Sequence, residues 1–159
     1  MRLVSLILLL AFSVIVLPAS AETTHWYAYE EGMLEAGSTG KPVILDFFAD
    51  WCPPCIAMEE GTYPDPGVVS EMKDFIAIKV DTQKRIDIES KYGITYYPTV
   101  IILDPQGKEV SRHIGYLDPP EMVNEIKQSR GKLPEETPGF EIIYPALVFM
   151  LLFLKRKLS

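Results

Sequence analysis

The strongest constraint on this chain is Trp51-Cys52-Pro53-Pro54-Cys55, together with the apolar run that leads into it, Val43-Ile44-Leu45-Asp46-Phe47-Phe48. A short apolar run of this kind reads as a buried strand. The residues after it turn helical, which places both thiols in the first turn of a helix. They are the only two cysteines of the chain. Two cysteines are too few for a disulfide scaffold, and the four clustered Cys and His ligands of a structural zinc are missing. His25 and His113 lie far from the pair and from each other in sequence, and they read as surface or structural histidines. The pair reads as a redox site, with a structural disulfide or half of a metal site as the duller alternatives.

At 159 residues the chain has room for one domain and short appendages. Residues 22–139 hold 11 bases against 21 acids, a net charge near −10. So acidic a surface argues against binding nucleic acid or an anionic membrane face. The ends differ from the middle. Met1-Arg2, the apolar run Leu3 to Leu17 and Pro18-Ala19-Ser20-Ala21 have the form of a secretory signal peptide over residues 1–21, cleaved after Ala21. The domain is expected over 22–129 and a polar linker over 130–139. A C-terminal membrane anchor or sorting signal is expected over 140–159. Ile142 to Leu154 is apolar and Lys155-Arg156-Lys157 follow, which leaves the domain outside the cytoplasmic membrane. As a helix that run spans about 20 Å, short of the roughly 30 Å of a hydrocarbon core. Thr137-Pro138-Gly139-Phe140 with the apolar and basic stretches behind it resembles the PGF-type sorting signal of archaeal surface proteins. That resemblance implies a tail exchanged for a lipid; the alternative is a short retained anchor.

Along the domain, apolar spacing predicts a helix over Trp26 to Ala36 with Thr23 or Thr24 as its cap. Strands follow over Val43 to Phe48 and Phe75 to Val80. Helices are expected from Cys52 to Glu60, Val68 to Lys73 and Arg85 to Tyr92, with Gly61 to Gly67 as a loop. Thr99 to Leu103 and Lys108 to Ile114 form a hairpin around Asp104-Pro105-Gln106-Gly107. A last helix runs from Pro119 to Ser129, capped by Asp118. The expected fold class is α/β, a four-stranded mixed sheet with helices on both faces.

Several pieces of this pattern resemble the thioredoxin fold, and in particular the C-terminal, extracytoplasmic thioredoxin-like domain of the thiol:disulfide interchange protein DsbD. They are Lys41-Pro42-Val43, Leu45-Asp46-Phe47, Ala49-Asp50-Trp51-Cys52, Cys55 and Glu59, then Thr62-Tyr63 to Asp65-Pro66-x-Val68, Lys79-Val80-Asp81, Pro98-Thr99 and the Asp104-x-x-Gly107 turn. The dipeptide Pro53-Pro54 departs from that pattern and is more like the TlpA group of membrane-anchored thioredoxins. The multi-helix membrane domain of DsbD has no counterpart in this sequence, so the resemblance implies that electrons come from a separate membrane electron-transfer partner.

The resemblance also implies roles. Cys52 attacks a disulfide as a thiolate favoured by its place at a helix N-terminus, and Cys55, the more buried, resolves the mixed disulfide. Asp46, six residues before Cys52 on a buried strand, shuttles a proton to or from the resolving thiol. Glu59, one turn after Cys55, lies near the site and opposes thiolate formation. In thioredoxins a lysine of the next strand pairs with the buried acid. Its position is read here as Ala77, which leaves Asp46 without that cation. Pro98 is expected to be cis on the loop facing the cysteines. Trp51 and Tyr97, with Tyr96, offer an apolar rim to a protein substrate. No cofactor or metal is implied beyond the redox-active Cys52–Cys55 disulfide. The expected function is a tethered reductase acting on thiols and disulfides of exported proteins or in cytochrome c maturation. A disulfide-forming oxidant or isomerase is the alternative within this chemistry, and a non-catalytic chaperone or metal-delivery module is the alternative outside it.

Overall fold

The computed structural model describes residues 23–134. The expected leader and the apolar tail lie outside the described residues. The elements are β1 (Trp26–Tyr27), α1 (Tyr29–Thr39), β2 (Val43–Phe48), α2 (Pro53–Ala57), a π-helical segment (Met58–Thr62), α3 (Pro66–Met72), β3 (Ile76–Asp81), α4 (Ile86–Tyr92), β4 (Thr99–Leu103), β5 (Glu109–Ile114) and α5 (Pro119–Arg130). Among the described residues no helix is long and apolar enough to cross a membrane.

The sheet has five strands rather than four, in the order β1-β3-β2-β4-β5. The extra strand is Trp26–Tyr27, which pairs in parallel with Ala77 and Ile78 on the open edge of β3. That edge pairing draws these residues out of the expected helix. The helix starts at Tyr29, its cap position is Ala28 with no side-chain hydrogen bond, and neither Thr23 nor Thr24 caps it. Inside α1, Gly32 has a positional reason: a Cβ there would collide with Ile78 and Tyr27. The helix can approach the sheet only without one.

β2 is central, parallel to β3 and antiparallel to β4. Its first five residues are all buried, as expected of a strand covered on both faces. Strand alternation splits them. Val43, Leu45 and Phe47 join a core with Tyr29, Ala36, Ile78, Ile88 and Ile101, beneath α1 and α4. Ile44 points the other way and packs with Met58, Tyr63, Met72, Ala77, Val100, Met122 and Ile126, beneath α3, α5 and the π-helical segment. Asp46 and Lys79 follow the parity of Ile44 and Ala77 and belong to this second face.

Local chemistry ends the elements. Asp118 accepts from the Glu121 amide at 2.8 Å while Glu121 accepts from the Asp118 amide at 3.0 Å, a reciprocal cap on α5. α3 starts earlier than expected, at Pro66, because Asp65 accepts from the amides of Gly67 at 2.8 Å and Val68 at 3.2 Å. The helix after the cysteines is not one regular helix. After Ala57 it widens, and the Tyr63 amide donates to the Met58 carbonyl at 2.9 Å in an i to i+5 bond.

Candidate redox site

β2 delivers the chain into a tight turn in which the Cys52 amide donates to the Ala49 carbonyl at 3.1 Å. Cys52 is the cap residue of α2, with extended backbone (φ −88°, ψ 106°), and Pro53 and Pro54 occupy the first helical positions. Two prolines there cost no helical hydrogen bond, since those amides have no partner inside a helix. They also leave Cys52 without the two nearest amide donors. The amides of Cys55 and Ile56 both donate to the Cys52 carbonyl, at 3.0 and 3.1 Å. Cys52 and Cys55 form a disulfide with their Cα atoms 5.3 Å apart.

The expected burial order of the two cysteines is reversed. Cys52 is 3% exposed and Cys55 7%. Both cysteines pack with Ala49, and Phe48 and Tyr97 lie against the pair. The Tyr97-Pro98 peptide is cis, as expected, and Pro98 is buried. The Pro98 carbonyl accepts from the amide of Gly115 at 2.8 Å, and Gly115 has a φ of 108° that favours glycine. Tyr97 donates its hydroxyl to Glu89 of α4, and its ring meets the Trp51 ring edge-on at 6.0 Å. Trp51 is 65% exposed, and Tyr96, Ile56, Ile114 and Tyr116 are also open to solvent. Ile114 lies opposite Thr99, the residue after Pro98, so the apolar surface continues from the loop onto β5.

The other side of the pair is polar. Asp46, Phe48, Ala49, Asp50, Cys55, Ile56, Glu59 and Lys79 line a cavity of about 290 Å³. Asp46 is buried, and burial pushes its carboxyl up to about 6, against the opposing pull of the Lys79 charge and of the Tyr63 hydroxyl. Burial pushes Lys79 below its usual range and the Asp46 charge pulls it back. Lys79 also pairs with Glu59. Its ammonium lies 4.7 Å from the Trp26 ring centroid, 5.3 Å from that of Tyr63 and 5.8 Å from that of Phe48. Aromatic faces partly replace the water this cation has lost.

The structure therefore groups the expected residues around one disulfide. Tyr97 packs against the cysteine pair, with the Trp51 ring edge-on to it and Pro98 next in the chain, and Asp46 and Glu59 share a cavity with Cys55. One expectation is overturned. The cation beside Asp46 is present, and it is Lys79, not Ala77. The parallel register pairs Val43 with Ile76, Ile44 with Ala77 and Asp46 with Lys79, so Ala77 sits two places too early. Lys79 and Tyr63 join the site without having been singled out for it. Tyr63 stood in an expected loop, and only the π-helical turn before it swings its ring beneath the sheet.

A Cys-x-x-Cys disulfide on the first turn of a helix, entered from the central strand of a mixed sheet and packed against by the residue before a cis-proline, defines a thiol–disulfide redox domain. The chain belongs to the thioredoxin-like family, whose domain model matches residues 29–130. Among its relatives, the thiol:disulfide interchange protein DsbD of Pseudoalteromonas atlantica is 33% identical over 87 residues, 52% of this chain and 15% of that protein. DsbD of Actinobacillus pleuropneumoniae is 28% identical over 122 residues, 69% of this chain and 21% of that protein. The chain thus matches only a small part of the length of these relatives. Among solved structures, a thioredoxin from Thermus thermophilus superposes with a TM-score of 0.64 at 27% identity, covering 69% of this chain and 89% of that one.

Proposed function

We propose that the chain is an extracytoplasmic thiol–disulfide reductase, held at the outer face of the cytoplasmic membrane by its C-terminal segment. Its substrates are disulfides of exported proteins or of cytochrome c maturation, and its electrons come from a membrane electron-transfer partner. The observation that carries the reading is the buried Asp46 sharing a cavity with Cys55. The relatives named thiol:disulfide interchange protein support the class of reaction.

In the dithiol form, Cys52 attacks as the thiolate. A bond forms between its sulfur and one substrate sulfur, the substrate disulfide breaks, and the first substrate thiolate leaves to take a proton from solvent. Cys55 then gives its proton to the Asp46 carboxylate and attacks the sulfur of Cys52. The mixed disulfide breaks, the second substrate thiolate leaves, and the Cys52–Cys55 disulfide closes. Two electrons have passed to the substrate, and the partner returns them to the domain. A carboxyl near 6 suits this task, being ionised at neutral pH yet basic enough to take a thiol proton. Trp51 and Tyr97 bind the substrate segment on the apolar side, and Pro98 shapes the loop that it meets.

Equilibration of the protein against a series of glutathione ratios tests the proposal. A potential near that of thioredoxin, about −270 mV, is expected. A value near that of a strong oxidant, about −120 mV, would favour disulfide formation instead, and cysteines that never cycle would remove both enzymatic readings.

A further inference from the structure

Tyr63 is a buried titratable group that the mechanism above leaves without a task. Its side chain is 4% exposed, in the core that holds Ile44, Met58 and Val100. Trp26 pins its ring edge-on, with centroids 4.8 Å apart and planes at 73°. Lys79 stands 5.3 Å from its centroid on the way to Asp46. The ring needs no hydroxyl for any of these contacts, and a phenylalanine would make them all. Yet the hydroxyl is there, sealed from water, with no hydrogen-bond partner of good geometry, and Asp46 Oδ1 is in the same condition. Buried polar atoms left unpaired are costly, so each such atom calls for a reason. Two of them converge on one small region.

We propose that Tyr63 is a positioning residue for proton transfer: its hydroxyl turns onto Asp46 Oδ1 when Asp46 ionises, and holds the carboxylate in the form that accepts the Cys55 proton. The proposal rests on the role given to Asp46 above. The direction of mutual influence agrees. The hydroxyl favours the ionised form of Asp46. Tyr63 itself is pushed well above its usual range, first by burial and then by the Asp46 charge, so it stays a donor at every working pH. The other groups facing Asp46 are Lys79 from β3, Glu59 from the π-helical segment, Asp50 from the turn after β2, and Cys55 from α2. From β4 the register partner of Asp46 is the apolar Val100. Lys79 is already engaged by Glu59, so Tyr63 is the neutral donor available to the buried oxygen. In the resolving step a proton passes from the Cys55 sulfur to Asp46, and the Tyr63 proton stays on its own oxygen throughout.

The test is a carbon-13 NMR titration of the Asp46 carboxyl in the full chain, with and without Tyr63→Phe. It is paired with the pH dependence of the resolving rate, followed by release of a disulfide-linked peptide from Cys52. In Tyr63→Phe the carboxyl titration is expected to rise by about one pH unit, the worth of a lost hydrogen bond to a charged group. The acid limb of the rate should move by the same amount, with rates converging at high pH. A fluorinated tyrosine at position 63 keeps the ring and sharpens the donor, so it should move both readings downward even if the phenylalanine variant folds poorly. Asp46 titrating at one pH in all three proteins would overturn the proposal. Asp46→Asn separates the two claims. If the carboxyl responds to position 63 while Asp46→Asn keeps an unchanged acid limb, then Tyr63 does hold Asp46, and the task assigned to Asp46 is what fails.

Discussion

The two sulfurs of one disulfide face opposite environments. Cys52, itself buried, follows the exposed Trp51, whose ring meets that of Tyr97 against the cysteine pair, in surroundings that are apolar. Cys55 borders a cavity whose walls carry Asp46, Asp50, Glu59 and Lys79. The division follows from the strand that feeds the pair. β2 alternates, so Asp46 falls on the face beneath the π-helical segment, while the chain beyond β2 turns outward to the proline loop. On the proposed mechanism one short motif performs two tasks. The sulfur proposed to meet a protein substrate follows an exposed indole, and the sulfur proposed to lose a proton shares a cavity with a buried carboxyl. If the division is functional, damage on one side should leave the other side's observable untouched.

The severest break is Cys55→Ala. Turnover should fall to background while a stable mixed disulfide accumulates on Cys52, seen as a mass increase that reductant removes. Sustained turnover in this variant would mean that Cys52 needs no resolving partner. Asp46→Asn comes next. A positioned general base contributes about 100-fold or more, so the resolving rate at pH 7 should drop by that order and lose its acid limb near 6. Stability gives an independent reading. Asp46 titrates near 6 in the folded protein against an ordinary 3.8. Between those values the folded chain keeps a proton that the unfolded chain has lost, so stability falls as pH rises through this window, by about 3 kcal/mol in total. The asparagine variant lacks that loss. Its melting temperature relative to the parent should climb between pH 4 and pH 7, by about 10 °C or more for a domain of this size. A pH-independent difference would mean that folding leaves the Asp46 titration unshifted.

Much of the apolar side was legible from sequence, because adjacency along the chain carries it. Trp51 touches the motif covalently, and Pro98 announces itself as a proline ahead of a strand. Asp46 was legible too, as an acid interrupting an apolar strand at a fixed distance from Cys52. The remainder of the polar side was not, because it depends on how distant segments dock. Whether Ala77 or Lys79 opposes Asp46 is a matter of strand register between β2 and β3, and two apolar runs can be slid past each other without disturbing their patterns. Tyr63 reaches the site through a π-helical turn at Met58–Thr62, and five residues are too few for a change of helical period to stand out. The two-residue strand Trp26–Tyr27 is likewise too short for alternation to be seen, and its aromatic residues fit a helical spacing equally well.

The mildest break, and the sharpest on the independence of the two sides, is Trp51→Ala. The indole is mostly exposed, so its loss leaves no core cavity and should hardly move the melting temperature. It should weaken capture of a disulfide-containing peptide. Truncating an aromatic anchor at an interface raises KM by about tenfold, with kcat within about twofold. The carboxyl titration of Asp46 and the acid limb of the resolving rate should stay where they are, since Trp51 does not line the cavity. An effect on kcat with KM unchanged would instead join the indole to the chemistry of Cys52. A displaced Asp46 titration would show that Tyr97, which touches both the Trp51 ring and the cysteine pair, transmits strain from the apolar side to the polar one. That second result would dissolve the division between the two sulfurs.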